Sequence, residues 1–376
     1  MKKFKYSISL VIVVITMICV LIVSSHKNDQ EIRIGYFAPM TGPAQVSSEQ
    51  MIHAFKLANK FNSKLDDGRS IEVLYEDDAC DPKKALSSAK KLFEIDRVHI
   101  LISGVCGGSV VSVAPYAVQN DLILFTPVAA TPKITDLGDN VFRISGSGYA
   151  ITKMASDNIK KMGYKRIGIL FENSEYSFGW KESFKNFYTD NQHTIVSEEG
   201  FGSKDTDMKT QIMKVMSFKP DLILISPNST ITANILANQI HELNVKTQIL
   251  GNEYFMFRKV RENVNVQGYF VSSYDFDTSR KEVRDLMDKY KSEFGVYPDD
   301  EIYVALSYDG YNVIHNAFNN CPKLNTECLK KYLYNIKDYK GVSGNITIDK
   351  NGDGIRDFVL KRIKDGNLIN IDSESR

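Results

Sequence analysis

The sequence predicts an α/β protein made of two doubly wound lobes, each a mostly parallel sheet with helices on both faces. Short apolar runs typical of buried strands alternate with amphipathic helical segments along nearly the whole chain. The alternating pattern occurs twice, and two halves suit 376 residues better than one oversized sheet. Because no low-complexity linker separates the halves, we expect several short crossings between the lobes.

The first predicted elements are a strand at residues 32–37 and a helix that follows it. The sequence SSEQ at residues 47–50 has the spacing of a capping box, which predicts that the helix begins there. One face of this helix would then bury four apolar side chains. These are Met51, Phe55, Ala58 and Phe61.

A strand–helix–strand unit follows, with strands at residues 71–75 and 98–102 and a helix at residues 82–95. A unit of this length makes the two strands parallel neighbours, so the loops that carry Cys80 and Cys106 lie at one edge of the sheet. A disulfide between them is compatible with this geometry, and two unrelated thiols are the alternative.

Later segments continue the same alternation. Further buried strands are predicted at residues 122–125, 166–171, 222–225 and 247–250, and helices at residues 149–162, 179–188, 207–216, 231–243 and 301–318. Near the end, strands at residues 345–348 and 356–363 flank DKNGDG, which resembles the opening of a calcium-binding loop. The twelfth position of such a loop is a glutamate but here is Leu360, so a glycine-rich turn is favoured.

Residues 1–25 have the pattern of a secretory signal, because three lysines precede the apolar run 8–23 and small residues end at Ser25. The run is intermediate in length between a signal core and a membrane span, so an uncleaved anchor is the second interpretation. Lipidation at Cys19 ranks third, since Ile18 is bulky where a lipidation motif has a small residue.

Charge and cysteine content narrow the class of protein. Without residues 1–25, which carry three lysines and no acid, the net charge changes from +1 to −2, and this near-neutral balance gives no support to nucleic-acid binding. Four cysteines then remain, an even number that fits an oxidising compartment. Cys321 and Cys328 close a short loop between two predicted helices. No cysteine or histidine pair has zinc-ligand spacing, so neither metal nor cofactor is expected.

The segment YEDDACDPKKAL at residues 75–86 resembles the periplasmic branched-chain amino-acid (Leu/Ile/Val) binding proteins, the receptor components of ABC importers. Further matching segments are PMTGP at residues 39–43, TPVAATPKIT at 126–135, VFRISGS at 141–147 and GVSGNITIDKNGD at 341–353. Together they span almost the whole chain after residue 30. The resemblance implies the type I periplasmic-binding-protein fold, with a disulfide between Cys80 and Cys106.

The resemblance also implies three crossings between the lobes, so that each lobe is discontinuous in sequence. The crossings are expected near residues 145–148, 272–277 and 339–341. Lobe 1 then comprises residues 31–146 plus 276–340, lobe 2 comprises residues 147–275 plus 341–372, and residues 1–25 stand apart. Because open α/β sheets bind ligands beyond the carboxyl ends of their strands, the ligand cleft is expected between the lobes.

Two loops of lobe 1 are candidate ligand contacts. The first contains Gly107, Gly108 and Ser109, whose backbone N–H groups at the start of a helix could meet an anion. A tight turn that needs glycine is the alternative. The second loop contains Ala129, Ala130 and Thr131, where the resemblance implies backbone contacts and a threonine hydroxyl that holds the ligand's carboxylate.

The chain departs from the pattern of its relatives in both loops. Counted from Cys106, the threonine position is Ala130, and the serine that follows the cysteine in many relatives is Gly107. Two hydroxyl donors to an α-carboxylate are therefore missing. Backbone N–H groups, Ser109 or Thr131 would have to compensate, or the ligand is not a standard α-amino acid.

Three further contacts are expected from lobe 2 and one from lobe 1. The resemblance implies that Tyr176 packs against the ligand, that Asn228 contributes after its strand, and that Glu253 pairs with the ligand's ammonium group. Tyr303 is expected to reach the cleft from lobe 1. The alternatives are a helix-capping tyrosine, a glutamate exposed on a turn, and ordinary helix packing for Tyr303. Trp180 fits the core better than the mouth of the cleft.

The resemblance implies an exported, monomeric solute-binding protein that closes on a small polar ligand and delivers it to the permease of an ABC importer. An amino acid is the expected ligand, with branched-chain types favoured. A membrane-tethered sensing module with the same fold is the alternative, anchored through residues 8–23. An enzyme is not expected, because the six histidines lie in no recognisable catalytic motif and the four cysteines are expected to be paired.

Overall fold

The computed structural model describes residues 31–42 and 44–371. The predicted signal or anchor at residues 1–25 and the last residue of PMTGP, Pro43, lie outside the described residues. Among the helices that are described, none combines the length and the apolar character needed to span a bilayer.

The first lobe is built on a five-stranded sheet of order β2-β1-β3-β4-β5, in which all pairs are parallel. Its strands are β1 (Glu31–Ala38), β2 (Ser70–Asp77), β3 (Ile100–Ser103), β4 (Leu124–Thr126) and β5 (Val141–Arg143). Strands β3 and β4 are short, lie in the interior of the sheet and are buried along their entire length. A parallel sheet covered on both faces requires such continuous apolar runs, which is why the sequence pattern identified them.

Three helices are interleaved with these strands: α1 (Gln45–Phe61), α2 (Pro82–Lys90), which ends in the π-helical turn Lys91–Ile95, and α3 (Gly107–Gln119). The Asp81 side chain caps α2 by accepting hydrogen bonds from the N–H groups of Lys83 and Lys84. Both predicted disulfides are present. Cys80 is bonded to Cys106, and Cys321 to Cys328, with Cα–Cα distances of 5.6 and 5.7 Å.

The predicted start of α1 was wrong. The helix begins at Gln45 after Ala44, and Ser47 and Ser48 lie inside its first turns, where both are buried. Phe61, expected in the core, is 55% exposed at the last turn. Tertiary packing of the helix has overridden the local capping signal, which is a weak preference by comparison.

The second lobe is built on a seven-stranded sheet of order β15-β14-β10-β9-β8-β6-β7. Its strands are β6 (Arg166–Glu172), β7 (Thr194–Phe201), β8 (Leu222–Ser226), β9 (Gln248–Gly251), β10 (Phe270–Tyr274), β14 (Phe358–Lys364) and β15 (Asn367–Asn370). The first five are parallel, whereas β14 and β15 are added as an antiparallel edge.

The helices of this sheet are α4 (Gly148–Lys161), α5 (Glu175–Tyr188), α6 (Lys209–Ser217), α7 (Thr230–Glu242) and the single turn α8 (Arg258–Arg261). The start of α5 was predicted four residues too late. Ser174 sets the true start, because its side chain accepts a hydrogen bond from the N–H of Ser177.

The chain then returns to the first lobe with α9 (Lys281–Phe294), α10 (Glu301–Asn320) and α11 (Thr326–Tyr334). Helix α10 packs on α1, where Ser307 Oγ donates to the carbonyl of Met51 and the rings of Phe55 and Tyr311 lie 5.1 Å apart. These contacts attach the late helices to the first sheet. The prediction of two α/β lobes with parallel sheets is therefore confirmed.

A small antiparallel sheet, β11 (Tyr339–Gly341), β12 (Gly344–Ile348) and β13 (Gly354–Ile355), lies where the chain passes back to the second lobe. In the turn between β12 and β13, the Asp349 carboxylate accepts hydrogen bonds from the N–H groups of Asn351 and Asp353. Asp353 in turn forms a buried ion pair with Arg143 at 2.6 Å. This pair ties the end of β5 to the returning chain, while the exact lobe boundaries stay a prediction.

A candidate ligand-binding site between the lobes

Gly107 and Thr131 meet at the start of α3. A Cβ atom at position 107 would overlap Thr131 Oγ1 and would lie 2.6 Å from Thr131 Cβ. Glycine is therefore required at this position because the threonine occupies the space that a serine would need. Thr131 is fully buried, and its hydroxyl has no hydrogen-bond partner in residues 31–42 and 44–371.

Thr131 follows Ala130, the position at which counting from Cys106 places the threonine of the relatives. Ala130 instead packs against the second lobe's first helix, since a Cβ atom at Gly148 would overlap the Ala130 carbonyl oxygen. The neighbouring Ala129 is held in place because its carbonyl accepts a hydrogen bond from Ser145 Oγ at 3.1 Å. Thr131, one of the residues expected to compensate for the missing hydroxyl groups, thus lies next to the helix N-terminus, and its role toward a ligand stays a prediction.

The N-terminus of α3 offers its own hydrogen-bond donors. Cys106 stands at the cap position without a side-chain bond to the helix, and the first N–H groups of any helix lack helical partners. Gly107 and Ser109 are buried, whereas Gly108 is half-buried. The end of a helix with these properties favours a negatively charged group.

The second lobe lies directly against this region. A Cβ atom at Gly108 would be 3.7 Å from Glu175 Cβ, and one at Gly179 would be 3.3 Å from Pro132 Cδ. Lys133 Nζ also lies 3.5 Å from Glu175 Oε1. Helix α5 therefore contacts the two candidate loops of the first lobe, and the cleft between the lobes is closed at this point.

Glu253 is buried rather than exposed on a turn. It begins the 3₁₀ turn Glu253–Met256 directly after β9 and is only 1% exposed. Its Oε2 accepts hydrogen bonds from the hydroxyl of Tyr176 at 2.6 Å and from Trp180 Nε1 at 2.9 Å. Its Oε1 is buried and has no hydrogen-bond partner in the described part of the chain.

Burial raises the pKa of Glu253, and the hydrogen bonds from Tyr176, from the residue's own backbone N–H and from Trp180 only partly oppose this effect. An ionised carboxylate in such a place is costly unless a cation or additional donors meet it. Tyr176 and Trp180 therefore hold Oε2 of Glu253, whereas Oε1 can accept a hydrogen bond from a positively charged group. Trp180, which the sequence pattern assigned to the core, both packs there and positions this carboxylate.

A row of aromatic rings extends from Tyr176 across the cleft. The centroid distances are 5.8 Å from Tyr176 to Tyr254, 5.7 Å from Tyr254 to Phe257, 5.5 Å from Phe257 to Tyr303, and 6.0 Å from Tyr303 to Tyr274. Tyr303 belongs to α10 of the first lobe, so its contacts with Phe257 and Tyr274 join the lobes. The sequence indicated Tyr176 and Tyr303 as candidate ligand contacts. The other rings of this row, Tyr254, Phe257 and Tyr274, were not predicted.

Asn228 lies behind the aromatic row. Its side-chain oxygen accepts a hydrogen bond from the Tyr254 hydroxyl at 3.3 Å, and its backbone N–H donates to Glu172 Oε2 at 2.8 Å. The neighbouring Ser229 caps α7 by accepting from the N–H of Thr232. Asn228 therefore holds Tyr254 in position.

Comparisons with known proteins agree with this architecture. The family model described as "Periplasmic binding protein" matches residues 31–367. A curated relative, the Leu/Ile/Val-binding protein homolog 3 of Brucella melitensis, is 22% identical over 350 residues, which cover 91% of this chain and 94% of that protein.

Two solved structures share the fold. The leucine-binding protein LivK of Thermotoga maritima is 24% identical, with a TM-score of 0.81, and the match covers 91% of this chain and 99% of LivK. A solute-binding protein of an ABC transporter from Rhodopseudomonas palustris, in complex with 3,4-dihydroxybenzoic acid, is 22% identical with a TM-score of 0.81. The match covers 91% of this chain and 96% of that protein. With its two α/β lobes and a family match along nearly all described residues, the chain belongs to the periplasmic binding proteins.

Proposed function

We propose that this protein captures an α-amino acid between its lobes outside the cytoplasm and delivers it to the permease of an ABC importer. The observation that carries the proposal is the Glu253 carboxylate, which is buried and has one oxygen without a hydrogen-bond partner among residues 31–42 and 44–371. On the other side of the cleft, the N-terminus of α3 and the hydroxyl of Thr131 suit an anion. An α-amino acid matches both sides of the cleft, because its ammonium group suits Glu253 and its carboxylate suits the N-terminus of α3.

Each half of the arrangement comes from a different lobe. The first lobe supplies the N–H groups at Gly107 and Gly108 and the Thr131 hydroxyl, which together would hold an α-carboxylate. The second lobe supplies Glu253 for the ammonium group and Tyr176 for packing. A ligand that contacts both lobes binds the closed form better than the open form, so it shifts the population toward closure.

Branched-chain aliphatic amino acids are the first ligands to test, because the Brucella relative is named for leucine, isoleucine and valine. An aromatic carboxylic acid, the ligand in the Rhodopseudomonas palustris structure, would suit the aromatic row. It carries no cation, however, so the Glu253 carboxylate would keep only the hydrogen bonds from Tyr176 and Trp180 and would have no counter-charge. The balance of charge across the cleft therefore favours an amino acid over an aromatic acid.

The permease would recognise the closed lobes, so selection of the ligand would reside in the free energy of closing. A single copy of the chain would suffice for this role. The proposed export signal at residues 1–25, and an anchor through residues 8–23 as its alternative, lie outside the described residues.

The proposal is tested by thermal denaturation and calorimetry of the purified protein after carried-over ligand is removed by unfolding and refolding. The panel contains amino acids, amides, short peptides, small carboxylates and sugars. An amino acid is expected to raise the melting temperature, because a ligand that binds only the folded state stabilises it by mass action.

The variant Glu253→Gln retains a hydrogen-bond acceptor but removes the charge, and should weaken amino-acid binding by about 1–3 kcal/mol. Glu198→Gln is the control, since this residue pairs with Lys181 and Lys185 away from the cleft. Stabilisation only by aromatic acids or sugars, or unchanged amino-acid affinity in Glu253→Gln, would overturn the proposed ligand class.

A further inference from the structure

A cavity lined by residues of both lobes lies near the candidate site. It has a volume of about 170 Å³, and we call it the hinge cavity. Its polar walls come from both lobes. They include Arg261 after α8, Tyr274 on β10, Lys361 on β14, and Asp300 with Glu301 at the start of α10.

Two side chains of the hinge cavity each have a buried polar atom without a hydrogen-bond partner in the part of the chain that the structure describes. Asp300 is 4% exposed; its Oδ1 accepts from the N–H of Tyr303 at 3.1 Å, while its Oδ2 has no hydrogen-bond partner among the residues described. Arg261 donates from Nη1 to the carbonyl of Met256, but its Nε is buried and unpartnered within the same residues. One acceptor and one donor of a single cavity are therefore unsatisfied, a cost that a bound polar group would remove.

The hinge cavity adjoins the place proposed for the ligand's ammonium group. Glu253 begins the 3₁₀ turn whose last residue, Met256, lines the cavity. A 3₁₀ helix rises about 2 Å per residue, so the two residues are separated by roughly 6 Å along the turn. An amino-acid side chain of four or five bonds spans such a distance.

Tyr274 and Tyr303 also indicate that the ammonium site at Glu253 lies next to the hinge cavity. The rings of Tyr274 and Tyr303 are 6.0 Å apart. Burial raises the pKa of both hydroxyls, and the negative charges of Glu253 and Asp300 raise each of them further. The two carboxylates therefore lie close to the same pair of rings, and these rings connect the ammonium site to the hinge cavity.

The charges of the hinge cavity balance when Asp300 is ionised, that is, above its pKa of about 7. Asp300 and Glu301 then contribute two acids, Arg261 and Lys361 contribute two bases, and Arg261 Nη2 lies 3.8 Å from Glu301 Oε1. A full charge on the incoming group would disturb this balance. An uncharged group that carries a donor beside an acceptor would satisfy both unpartnered atoms.

We propose that the hinge cavity receives the end of the ligand's side chain and selects an amino acid that ends in a carboxamide, with Asp300 and Arg261 as the specificity-determining residues. The amide N–H₂ donates to Asp300 Oδ2, and the amide oxygen accepts from Arg261 Nε. This inference rests on the proposed function, since it assumes that an amino acid is held with its ammonium group at Glu253.

The test is calorimetric titration of the full protein with L-glutamine, L-leucine and L-glutamate. Glutamine, whose side chain has the required length and amide, is expected to bind at least about tenfold more tightly than leucine or glutamate. In Asp300→Ser the ratio of glutamine to leucine affinity should fall at least about tenfold. Serine at an N-cap position preserves the start of α10, so the variant should fold.

Arg261→Met is a second variant that removes the donor and should lower the same ratio. Asp299→Asn is the matched control, because the neighbouring acid pairs with Arg258 and Lys259 outside the hinge cavity and should affect both ligands equally. Tighter binding of leucine than of glutamine, or a ratio that neither variant changes, would overturn this inference and leave the proposed function intact. If no amino acid binds at all, the proposed function itself fails.

Discussion

At the scale of single residues, Gly107 and Thr131 form a complementary pair. Because a Cβ atom at position 107 would overlap the threonine side chain, Gly107→Ala should lower the free energy of unfolding by about 1–3 kcal/mol. Thr131→Gly in the same chain should recover part of that loss, since it removes the overlapping atoms. Chemical denaturation of the two single variants and the double variant measures this coupling. Additive effects would show that the two positions do not compete for space.

Asp300 should make the stability of the ligand-free protein depend on pH. Burial, with a smaller contribution from the charge of Glu301, raises the pKa of its carboxyl from 3.8 to about 7. Between these values the folded protein holds a proton that the unfolded chain has released. The free energy of unfolding should therefore fall as the pH rises from about 4 to about 7, by up to about 1.4 kcal/mol per pH unit.

Denaturant titrations of the protein and of Asp300→Asn between pH 4 and pH 8 measure this contribution. Asparagine also caps helices well, so the variant tests the charge rather than the cap. The variant should lose the part of the pH slope that belongs to Asp300, whereas other buried acids such as Glu253 still contribute in both proteins. Identical slopes would mean that Asp300 is ionised in the folded state at low pH.

The sequence predicted some residues of the candidate site but not others. Glu253 and Tyr176 were identifiable because each follows a strand within a recognisable segment, and the structure brings them into contact. Thr131 was named as a candidate because its hydroxyl could compensate for Gly107 and Ala130, and the structure places it against Gly107 at the start of α3. Asp300 carries no sequence signal beyond an acidic N-cap, since its burial depends on how the two lobes pack together.

At the scale of elements, the Cys80–Cys106 disulfide ties the loop after β2 to the residue that precedes α3. Replacing both cysteines by alanine should lower the free energy of unfolding by about 3 kcal/mol, because the bridge closes a 26-residue separation in the unfolded chain. Removing Cys321 and Cys328 is the control, with an expected loss nearer about 2 kcal/mol for a separation of 7 residues.

Thermal and denaturant unfolding measure both losses, and ligand titration shows whether the start of α3 still supports binding. Equal losses for the two bridges would contradict the dependence on loop length. Four titratable thiols in the protein without reductant would show that neither bridge forms.

Elements were predictable where their pattern was continuous. Strands such as β8 and β9 were located within one or two residues, because buried parallel strands are short unbroken apolar runs. Among the strands that were missed are β5 with only three residues, β7 with a mixed burial pattern, and β10, where a crossing was expected. Each of these depends on pairing with distant residues, which local sequence does not reveal.

At the scale of the whole molecule, Asp299 joins the lobes at the edge of the cleft. Its side chain lies 2.8 Å from Lys259 Nζ and 3.5 Å from Arg258 Nη2, and its carbonyl accepts from the N–H of Arg258. Asp299→Asn should therefore make closure less favourable by about 0.5–1 kcal/mol, since the two cations are partly exposed. Every ligand should lose affinity by the same factor.

Small-angle X-ray scattering and calorimetry measure these changes. The ligand-free variant should have a larger radius of gyration than the parent protein, and high salt should reduce the difference between them. Asp285→Asn, which removes a pair with Lys281 inside α9, is the control and should leave both quantities unchanged. A loss of affinity that differs among ligands would place Asp299 in ligand recognition instead.

The antiparallel edge of the second sheet has a consequence for how the protein is made. Strands β14 and β15 extend β10, yet more than eighty residues of chain separate the end of β10 at Tyr274 from the start of β14 at Phe358. The ribosome must therefore synthesise nearly the entire polypeptide before this sheet can be completed. Pairing over such a sequence distance is slow. The delay favours an unfolded nascent chain, which is the form that a secretion channel accepts.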